Sequence, residues 1–491
     1  MQKIHSHHDM VELSGELQEN RLSNADIAPT RIAERSWNVW HIASLWVGMS
    51  VCIPTYMLAA SMISAGMNWW QSLLAIFLGN AIVLTPLVLN AHAGTKYGIP
   101  FPVYVRASFG IKGAHIPAIL RALVACGWFG IQTWIGGMAI NAILGILWSG
   151  WQSIGGNWTF MGFGLSSYLS FLIFWLINMY FVWAGTESIK WMETVAAPFL
   201  LLTGVVLLIW AAVQVGGIGA ILAQSDALIH SQSSLSFSQF MLTLFIPWLT
   251  AMVGYWATLS LNIPDFTRFA KSQKDQMLGQ GIGLLTTMPL FSFIGIAVTS
   301  ATLILYGEAI WDPVQLLAKL TADYQSPLLG LLSMFVLVVA TLSTNIAANI
   351  VSPANSFSNL MPQKISFRMG GLISGIIGIL IMPWQLLDMY LTWLISYSGL
   401  LGAAGGIIIC DYFVIRRRNL NLADLYSETG EYVYQNGLNR NALIALVAGI
   451  AAALIGKLHP SLDFLFNGAW FSAAIVSFGV YYFLMRRRLK R

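Results

Sequence analysis

Long, nearly uncharged apolar segments follow one another along this 491-residue chain, and they constrain its fold more than any other feature. A helix needs about 20 apolar residues to cross the hydrocarbon core of a bilayer. Only 9% of the residues are charged, so the chain cannot cover a water-facing surface. We therefore expect an all-α membrane protein with twelve transmembrane helices, near residues 38–66, 70–92, 113–147, 164–184, 190–214, 239–261, 277–305, 328–352, 370–386, 388–413, 441–457 and 467–485.

The basic residues predict how these helices are oriented. With twelve helices and a cytoplasmic N-terminus, the inside segments hold almost every Lys and Arg, while the outside keeps only Lys319 and Lys457. This asymmetry follows the positive-inside rule. The sequence thus predicts a multi-pass protein of the inner (cytoplasmic) membrane with both termini in the cytoplasm. Arg121, inside the third helix, is the one remaining basic residue.

The same distribution suggests how the chain is divided. The basic residues lie in short clusters between apolar runs, which argues against nucleic-acid binding. We expect a cytoplasmic N-terminal tail, a ten-helix core, a cytoplasmic loop, two additional helices and a basic tail, at residues 1–35, 36–413, 414–440, 441–485 and 486–491.

Two of the predicted helices contain residues that interrupt a helix. In the first, Gly48 and Pro54 lie near the middle of the span, and in the sixth, Pro247 and Gly254 do. Proline frees backbone carbonyls, which a bilayer tolerates only where they face a cavity or an ion. Interrupted helices at positions one and six indicate a five-plus-five inverted repeat. The alternative is a pair of ordinary proline kinks.

Trp128 and Gln132 are candidate ligand-binding residues on the third helix. They stand four residues apart and so share one face. An indole offers a flat stacking surface, and a glutamine amide offers one acceptor and two donors, which suits a planar ring edged with C=O and N–H groups. The alternative is an interfacial tryptophan beside a glutamine that bridges two helices.

The eighth helix carries an unusually polar run from Ala340 to Asn349. Its hydroxyls are hard neutral oxygen donors that suit Na⁺ when combined with carbonyls from a broken helix. The alternative is that Ser and Thr bond carbonyls of their own helix. No Asp or Glu lies in the middle of a predicted span, and a proton relay usually needs one, so Na⁺ is favoured as the coupling ion.

The segment Asn262–Phe269 closes the sixth helix with an acid, Asp265, and a base, Arg268. It is either a gate latch or a helix-end cap with charges that set the topology. The sequence alone leaves both interpretations open.

Several separate segments resemble the nucleobase:cation symporter family, which contains the bacterial hydantoin, allantoin and uracil permeases. The resemblance runs from about Asn24 to the end of the twelfth helix. It rests on Ala28–Ser36, Trp128–Trp134, Asn262–Phe269, the run from Ser343 through Asn349 to Ala354, and Asp411–Phe413.

The resemblance implies an inverted-repeat (LeuT-like) fold of ten core helices with two extra C-terminal helices. It implies that Trp128 stacks on the substrate beside Gln132, that Trp256 forms the second aromatic wall, and that Asn349 hydrogen-bonds the ring. It also implies a sodium site made of the carbonyls of Gly48, Val51 and Ala340 with the hydroxyls of Ser343 and Thr344.

Two departures from the family pattern limit what carries over. The hydantoin permease has a glutamine where this chain has Cys52 and a glycine where it has Tyr255. Both positions are expected to line the pocket, so the identity of the substrate does not transfer. Several family members, particularly in plants, are proton-coupled and lack the paired hydroxyls of Ser343 and Thr344.

The combined expectation is a secondary active symporter that imports a planar nitrogen heterocycle such as a nucleobase, allantoin or hydantoin. Na⁺ is the expected coupling ion, with no other cofactor and no obligatory protein partner. The alternatives are a proton-coupled nucleobase permease and a transporter of the same fold for an unrelated solute such as an amino acid. No nucleophile–base pair or metal cluster lies at membrane depth in the sequence, which argues against an enzyme.

Overall fold

A computed structural model describes residues 4–7, 9–13, 20–184, 186–231 and 235–486, with side chains throughout except at 4–7, 186–197, 227–231 and 388. Of the predicted basic tail, only Arg486 falls within these ranges, and the rest lies outside the described residues. Nine helices in the described part are long and apolar enough to cross a membrane, and two bent helix pairs would raise this number to eleven.

The first half of the chain opens with an antiparallel strand pair, β1 (Ile4–His7) and β2 (Met10–Leu13). A second pair, β3 (Thr159–Phe160) and β4 (Phe163–Gly164), precedes the seventh helix. The helices of this half are α1 (Val39–Ser50), α2 (Ile53–Ser64), α3 (Trp69–Tyr97), α4 (Phe101–Tyr104), α5 (Arg106–Phe109), α6 (His115–Leu147), α7 (Leu165–Ala184), α8 (Thr186–Val215) and α9 (Ile218–Ser231).

The described residues of the second half form thirteen α-helices, four short 3₁₀ turns and two π-helical turns, the latter at Met241–Phe245 and Cys410–Ile415. The helices are α10 (Phe237–Phe240), α11 (Ile246–Asn262), α12 (Pro264–Thr267), α13 (Gln273–Tyr306), α14 (Pro313–Asp323), α15 (Pro327–Asn349), α16 (Val351–Leu360), α17 (Phe367–Leu380), α18 (Pro383–Asp388), α19 (Tyr390–Ile409), α20 (Arg440–Leu454), α21 (Asp463–Asn467) and α22 (Ala469–Met485).

Polar residues set where the long helices begin. The side chains of Asn38, Asn68, Ser272 and Ser326 accept hydrogen bonds from the first backbone amides of α1, α3, α13 and α15. Such caps satisfy donors that have no partner within the helix. Gly98 ends α3 with φ of +67°, a conformation that favours glycine.

Each of the twelve predicted spans coincides with a helix or a helix pair, although the count of twelve stays a prediction. The ninth span corresponds to α17, which has only 14 residues and is too short to pass as a spanning helix by itself. The twelfth span corresponds to α22, which has 17 residues and is long enough to cross a membrane only together with the short helices at Pro460–Asn467, from which it is bent by 81°.

The interruption predicted in the first span is confirmed. Helices α1 and α2 meet at an angle of 56°, and Val51 and Cys52 lie between them. Pro54 occupies the first turn of α2, where its missing N–H costs least. The Gly48–Pro54 segment thus contains a true break in the helix, at Val51 and Cys52, and not a smooth kink.

The interruption predicted in the sixth span is wrong at Gly254. Helix α11 continues through that residue, and the irregular backbone is instead the π-helical turn just before Pro247. The Ile246 amide donates to the Met241 carbonyl, five residues back, immediately before Pro247, which has no amide hydrogen to donate. Gly254 serves close packing, because a Cβ at this position would lie 2.9 Å from the Leu394 carbonyl oxygen of α19.

Candidate functional site

Three aromatic side chains from α6 and α11 meet inside the helix bundle. The Tyr255 ring lies 5.1 Å from the Trp128 indole and 4.8 Å from the Trp256 indole, centroid to centroid, with near-perpendicular planes in both pairs. All three side chains are buried. By these distances the two indoles are at most 9.9 Å apart. One flat ring stacked between two others needs about 7 Å between them, twice the carbon–carbon contact distance.

Hydrogen bonds fix the orientation of both indoles. The Trp128 Nε1–H donates to the Tyr397 hydroxyl at 3.1 Å. The Trp256 Nε1–H donates to Asn80 Oδ1 at 2.9 Å and also lies 2.9 Å from Met288 Sδ. With the N–H groups satisfied, the indoles can offer a ligand their faces and need not offer a donor.

Helix α19 adds aromatic residues to this site that the sequence analysis missed. Tyr390 and Trp393 pack edge-on against Trp128, at 6.1 Å and 4.9 Å between centroids, and Tyr397 binds its nitrogen. A spacing of three and four residues places these three side chains on one helix face. These three aromatic residues on one face of the tenth predicted helix are the sequence pattern that could have identified them as part of the site.

Cys52 and Tyr255, the two departures from the family pattern, contact each other directly. The Tyr255 hydroxyl lies 3.2 Å from Cys52 Sγ and 3.1 Å from Thr55 Oγ1, and Cys52 and Thr55 are themselves 3.2 Å apart. This triangle, in which Thr55 was not anticipated, holds the tyrosine ring against the break between α1 and α2.

The two predicted amides are buried on neighbouring helices. Gln132 Oε1 has no hydrogen-bond partner within the described part of the chain. The Asn349 amide donates to Asn345 Oδ1 at 3.0 Å, and Asn345 donates in turn to Thr133 Oγ1 and Asn178 Oδ1, at 3.1 Å and 3.2 Å. Asn345 therefore links the Asn349 side chain to α6, one residue from Gln132. An unpaired buried acceptor such as Gln132 Oε1 is uncommon and suits a donor from a ligand.

The break between α1 and α2 frees backbone carbonyls, as the sequence predicts. The Cys52 amide donates to the Ser50 carbonyl instead of the Gly48 carbonyl, and the Thr55 amide donates to the Cys52 carbonyl instead of the Val51 carbonyl. The Gly48 and Val51 carbonyls consequently accept no backbone hydrogen bond from any described residue. Unwound carbonyls of this kind coordinate cations in transporters.

Helix α15 contacts both α1 and α2, the two helices on either side of the break. Val51 and Ala340 belong to one buried apolar cluster. Ser343 and Thr344 are both buried. The Thr344 hydroxyl donates to the Ala340 carbonyl at 3.2 Å, which is the local bond expected of a threonine within a helix. The donor set of carbonyl and hydroxyl oxygens fits a hard monovalent cation.

The predicted acid–base segment after α11 does not form an internal ion pair. Asp265 accepts hydrogen bonds from the Phe101 amide at 2.8 Å and from the Ser352 hydroxyl at 2.6 Å. Arg268 donates to Thr30 Oγ1 at 2.8 Å and to carbonyls of the N-terminal segment. Burial raises the pKa of Asp265 and lowers the pKa of Arg268.

The family model and the curated relatives that match this chain show one family. The family model described as permease for cytosine/purines, uracil, thiamine and allantoin matches residues 29–487. The chain is 43% identical to the allantoin permease of Bacillus subtilis, covering 96% of this chain and 94% of the relative. It is 44% identical to the purine-uracil permease NCS1 of Arabidopsis thaliana, covering 95% of this chain and 78% of the relative.

A solved structure of similar fold is that of Mhp1, a nucleobase-cation-symport-1 family transporter, in a closed conformation with bromovinylhydantoin bound. Its TM-score to this chain is 0.73 at 29% sequence identity, covering 96% of each chain.

Proposed function

The chain belongs to the family of permeases for cytosine and purines, uracil, thiamine and allantoin, and from this premise we propose that it imports a planar nitrogen heterocycle together with Na⁺. The match confirms three predictions from the sequence: the family, the inverted-repeat membrane fold, and a transporter in place of an enzyme. The substrate and the coupling cation belong to the proposal.

The observation that carries the proposal is the meeting of Trp128, Tyr255 and Trp256 in the bundle. The substrate ring stacks between the two indoles, and its polar edge bonds Gln132 and Asn349. Such a ring alternates N–H and C=O groups, and the unpaired Gln132 Oε1 is an acceptor for one of the N–H groups. The relatives named for allantoin, purines and uracil transport molecules with such edges.

Tyr255 sets the size of the substrate in this proposal. Its ring contacts both indoles, so it must tilt or move for a ligand to stack flat between them. Cys52 and Thr55 hold its hydroxyl and thereby limit this movement. The pocket consequently favours small rings over heavily substituted ones.

Na⁺ binds at the break in the first span, held by the carbonyls of Gly48, Val51 and Ala340 and by the hydroxyls of Ser343 and Thr344. Cation and substrate are coupled because consecutive residues serve both sites: Val51 offers its carbonyl to the ion, and Cys52 binds Tyr255. An ion that orders the break also orders the tyrosine, and by linkage each ligand strengthens the binding of the other.

Transport follows alternating access in the inner (cytoplasmic) membrane, with both termini in the cytoplasm. Na⁺ and the heterocycle bind from outside, and rigid-body rocking of one group of helices against the rest exposes both to the cytoplasm. Charge asymmetry along the sequence supports this orientation.

The test is uptake of radiolabelled uracil, cytosine, allantoin, hydantoin and guanine into proteoliposomes, each with and without an inward Na⁺ gradient. We expect saturable uptake of at least one compound, accelerated by the gradient. Failure of all five to accumulate would overturn the substrate class. Uptake that responds to a proton gradient but not to Na⁺ would overturn the cation.

A matched pair of variants on α15 separates the cation site from general damage. Ser343→Ala should weaken Na⁺ binding, so that half-maximal uptake needs a higher Na⁺ concentration. Ser333→Ala, on the same helix, should leave the Na⁺ requirement unchanged, because Ser333 precedes Ser343 by ten residues, or about 15 Å along the helix axis.

A further inference from the structure

Arg121 is a fully buried arginine within α6 that the transport scheme above does not use. It stands seven residues before Trp128 and eleven before Gln132, so all three share one face of the helix. Seven residues correspond to about 10 Å along the helix axis. Since α6 begins at the proposed cytoplasmic side, Arg121 lies on the inner side of the aromatic site, beneath the same face.

The Arg121 guanidinium is only partly satisfied. Its Nε–H donates to Asn262 Oδ1 at 3.1 Å, whereas Nη1 and Nη2 find no hydrogen-bond partner in the described part of the chain. A charged group without acceptors is costly to bury in a membrane protein and is rarely kept without a role. The two nitrogens form a fork that matches a carbonyl or carboxylate oxygen.

Helix α11 has the same seven-residue spacing between an aromatic and a polar residue as α6. Asn262 lies seven residues after Tyr255 and hence on the same face. Tyr255 contacts Trp128, and Asn262 contacts Arg121. The two helices therefore face each other in two tiers, an aromatic tier in the centre and a polar tier about 10 Å further toward the cytoplasm.

The polar tier also contains an acceptor. The Asn262 amide nitrogen lies 3.5 Å from Asp265 Oδ2, so this one side chain bridges Arg121 and Asp265. The Ser352 hydroxyl on α16 donates to the same carboxylate at 2.6 Å. Ser356, one helical turn after Ser352 on the same face, has a buried hydroxyl without a partner among the described residues.

We propose that Arg121, with Asp265 and Ser356, forms a second binding site for the heterocycle, which the ring occupies after it leaves the aromatic tier. Nη1 and Nη2 of Arg121 donate to a ring carbonyl oxygen, and the Asp265 carboxylate accepts a ring N–H. The site takes neutral rings with adjacent C=O and N–H groups, such as imides, lactams and cyclic ureides. This inference rests on the proposed function, because it presupposes import of such a ring.

The pairing of a basic residue, Arg121, with an acidic residue, Asp265, suits a neutral ligand. The Asn262 side chain contacts both Arg121 and Asp265 and lies between them. The two side chains therefore form no direct ion pair with each other, and both can bond a ligand. A ring that bonds both groups would replace the Asn262 bridge and so remove the hydrogen bond that joins α11 to α6 in the polar tier. Occupancy of the second site is thereby linked to opening toward the cytoplasm.

The test compares the two faces of the protein in proteoliposomes of known orientation, with radiolabelled uracil and allantoin as probes. Arg121→Gln should raise the cytoplasmic-side concentration for half-maximal exchange about tenfold or more, since a hydrogen bond to a charged group is lost. The external half-saturation constant should change less than about twofold. Ser356→Ala should act in the same direction with a smaller effect.

Ser374→Ala is the matched control. This buried serine on α17 already donates to the Gly370 carbonyl at 2.8 Å, so its removal should leave both constants unchanged. Equal effects of Arg121→Gln on both faces, or an effect on neither, would overturn the second site and indicate a structural arginine. If the wild-type protein transports neither probe nor any compound of the five, the proposed function fails first. A normal wild type with symmetric variants refutes only this inference.

Discussion

Replacement of Trp128 by alanine removes one wall of the proposed stacking site. Stacking of a nucleobase on an aromatic side chain contributes about 1–3 kcal/mol, which corresponds to roughly 5-fold to 150-fold in Kd. The indole also donates to Tyr397, but this bond is made within the protein and affects the ligand only through orientation of the ring. We therefore expect Trp128→Ala to weaken binding by a factor within this range. Trp128→Phe, which keeps a flat face and loses only a bond made within the protein, should weaken binding less than Trp128→Ala does.

The assay is equilibrium binding of the radiolabelled substrate to purified protein at saturating Na⁺, with the thermal unfolding midpoint measured in parallel. Trp393→Ala is the matched control, because Trp393 packs 4.9 Å from the Trp128 ring and has no contact with the substrate in this scheme. It should lower stability without a comparable loss of affinity. Unchanged binding in Trp128→Ala, or the same loss in both variants, would refute the stacking role.

Three further predictions concern the surroundings of this ring. Tyr255→Gly should admit bulkier ring substituents, seen as stronger competition by 5-substituted hydantoins, and competition equal to that in the wild type would exclude Tyr255 as the size filter. Thr344→Ala should raise the Na⁺ concentration for half-maximal uptake several-fold without changing substrate affinity at saturating Na⁺, and an unaltered Na⁺ requirement would remove this hydroxyl from the site. Asn345→Ala should lower the free energy of unfolding by about 2–4 kcal/mol, since it breaks bonds that join α15 to α6 and α7, and a thermal midpoint like that of the wild type would contradict this.

The sequence was sufficient for the first broken helix but not for the sixth. Between Gly48 and Pro54 the proline removes a donor and the backbone turns, so composition and structure agree. Gly254 has the same sequence signature, yet it lies within a regular helix and allows α19 to approach. A glycine permits a break and permits close packing equally, and only the neighbouring helix decides between them.

The sequence likewise pointed to some residues of the candidate site and missed others. Trp128 and Trp256, which the resemblance implies as two walls of the site, both contact Tyr255, and Cys52 contacts Tyr255 from the break. Thr55 escaped notice because its partner comes from another helix, 200 residues away. Arg121 was visible as a basic residue well inside a predicted span, but its unpaired donors depend on tertiary contacts that no pattern in the sequence reveals.

A structure of the protein with Na⁺ and its transported heterocycle bound tests the proposed function most directly. We expect the ring to lie flat between the indoles of Trp128 and Trp256, with the Tyr255 side chain displaced from its present contacts and the cation beside the Val51 carbonyl. A ligand bound elsewhere while Tyr255 still contacts both indoles would contradict the proposed site.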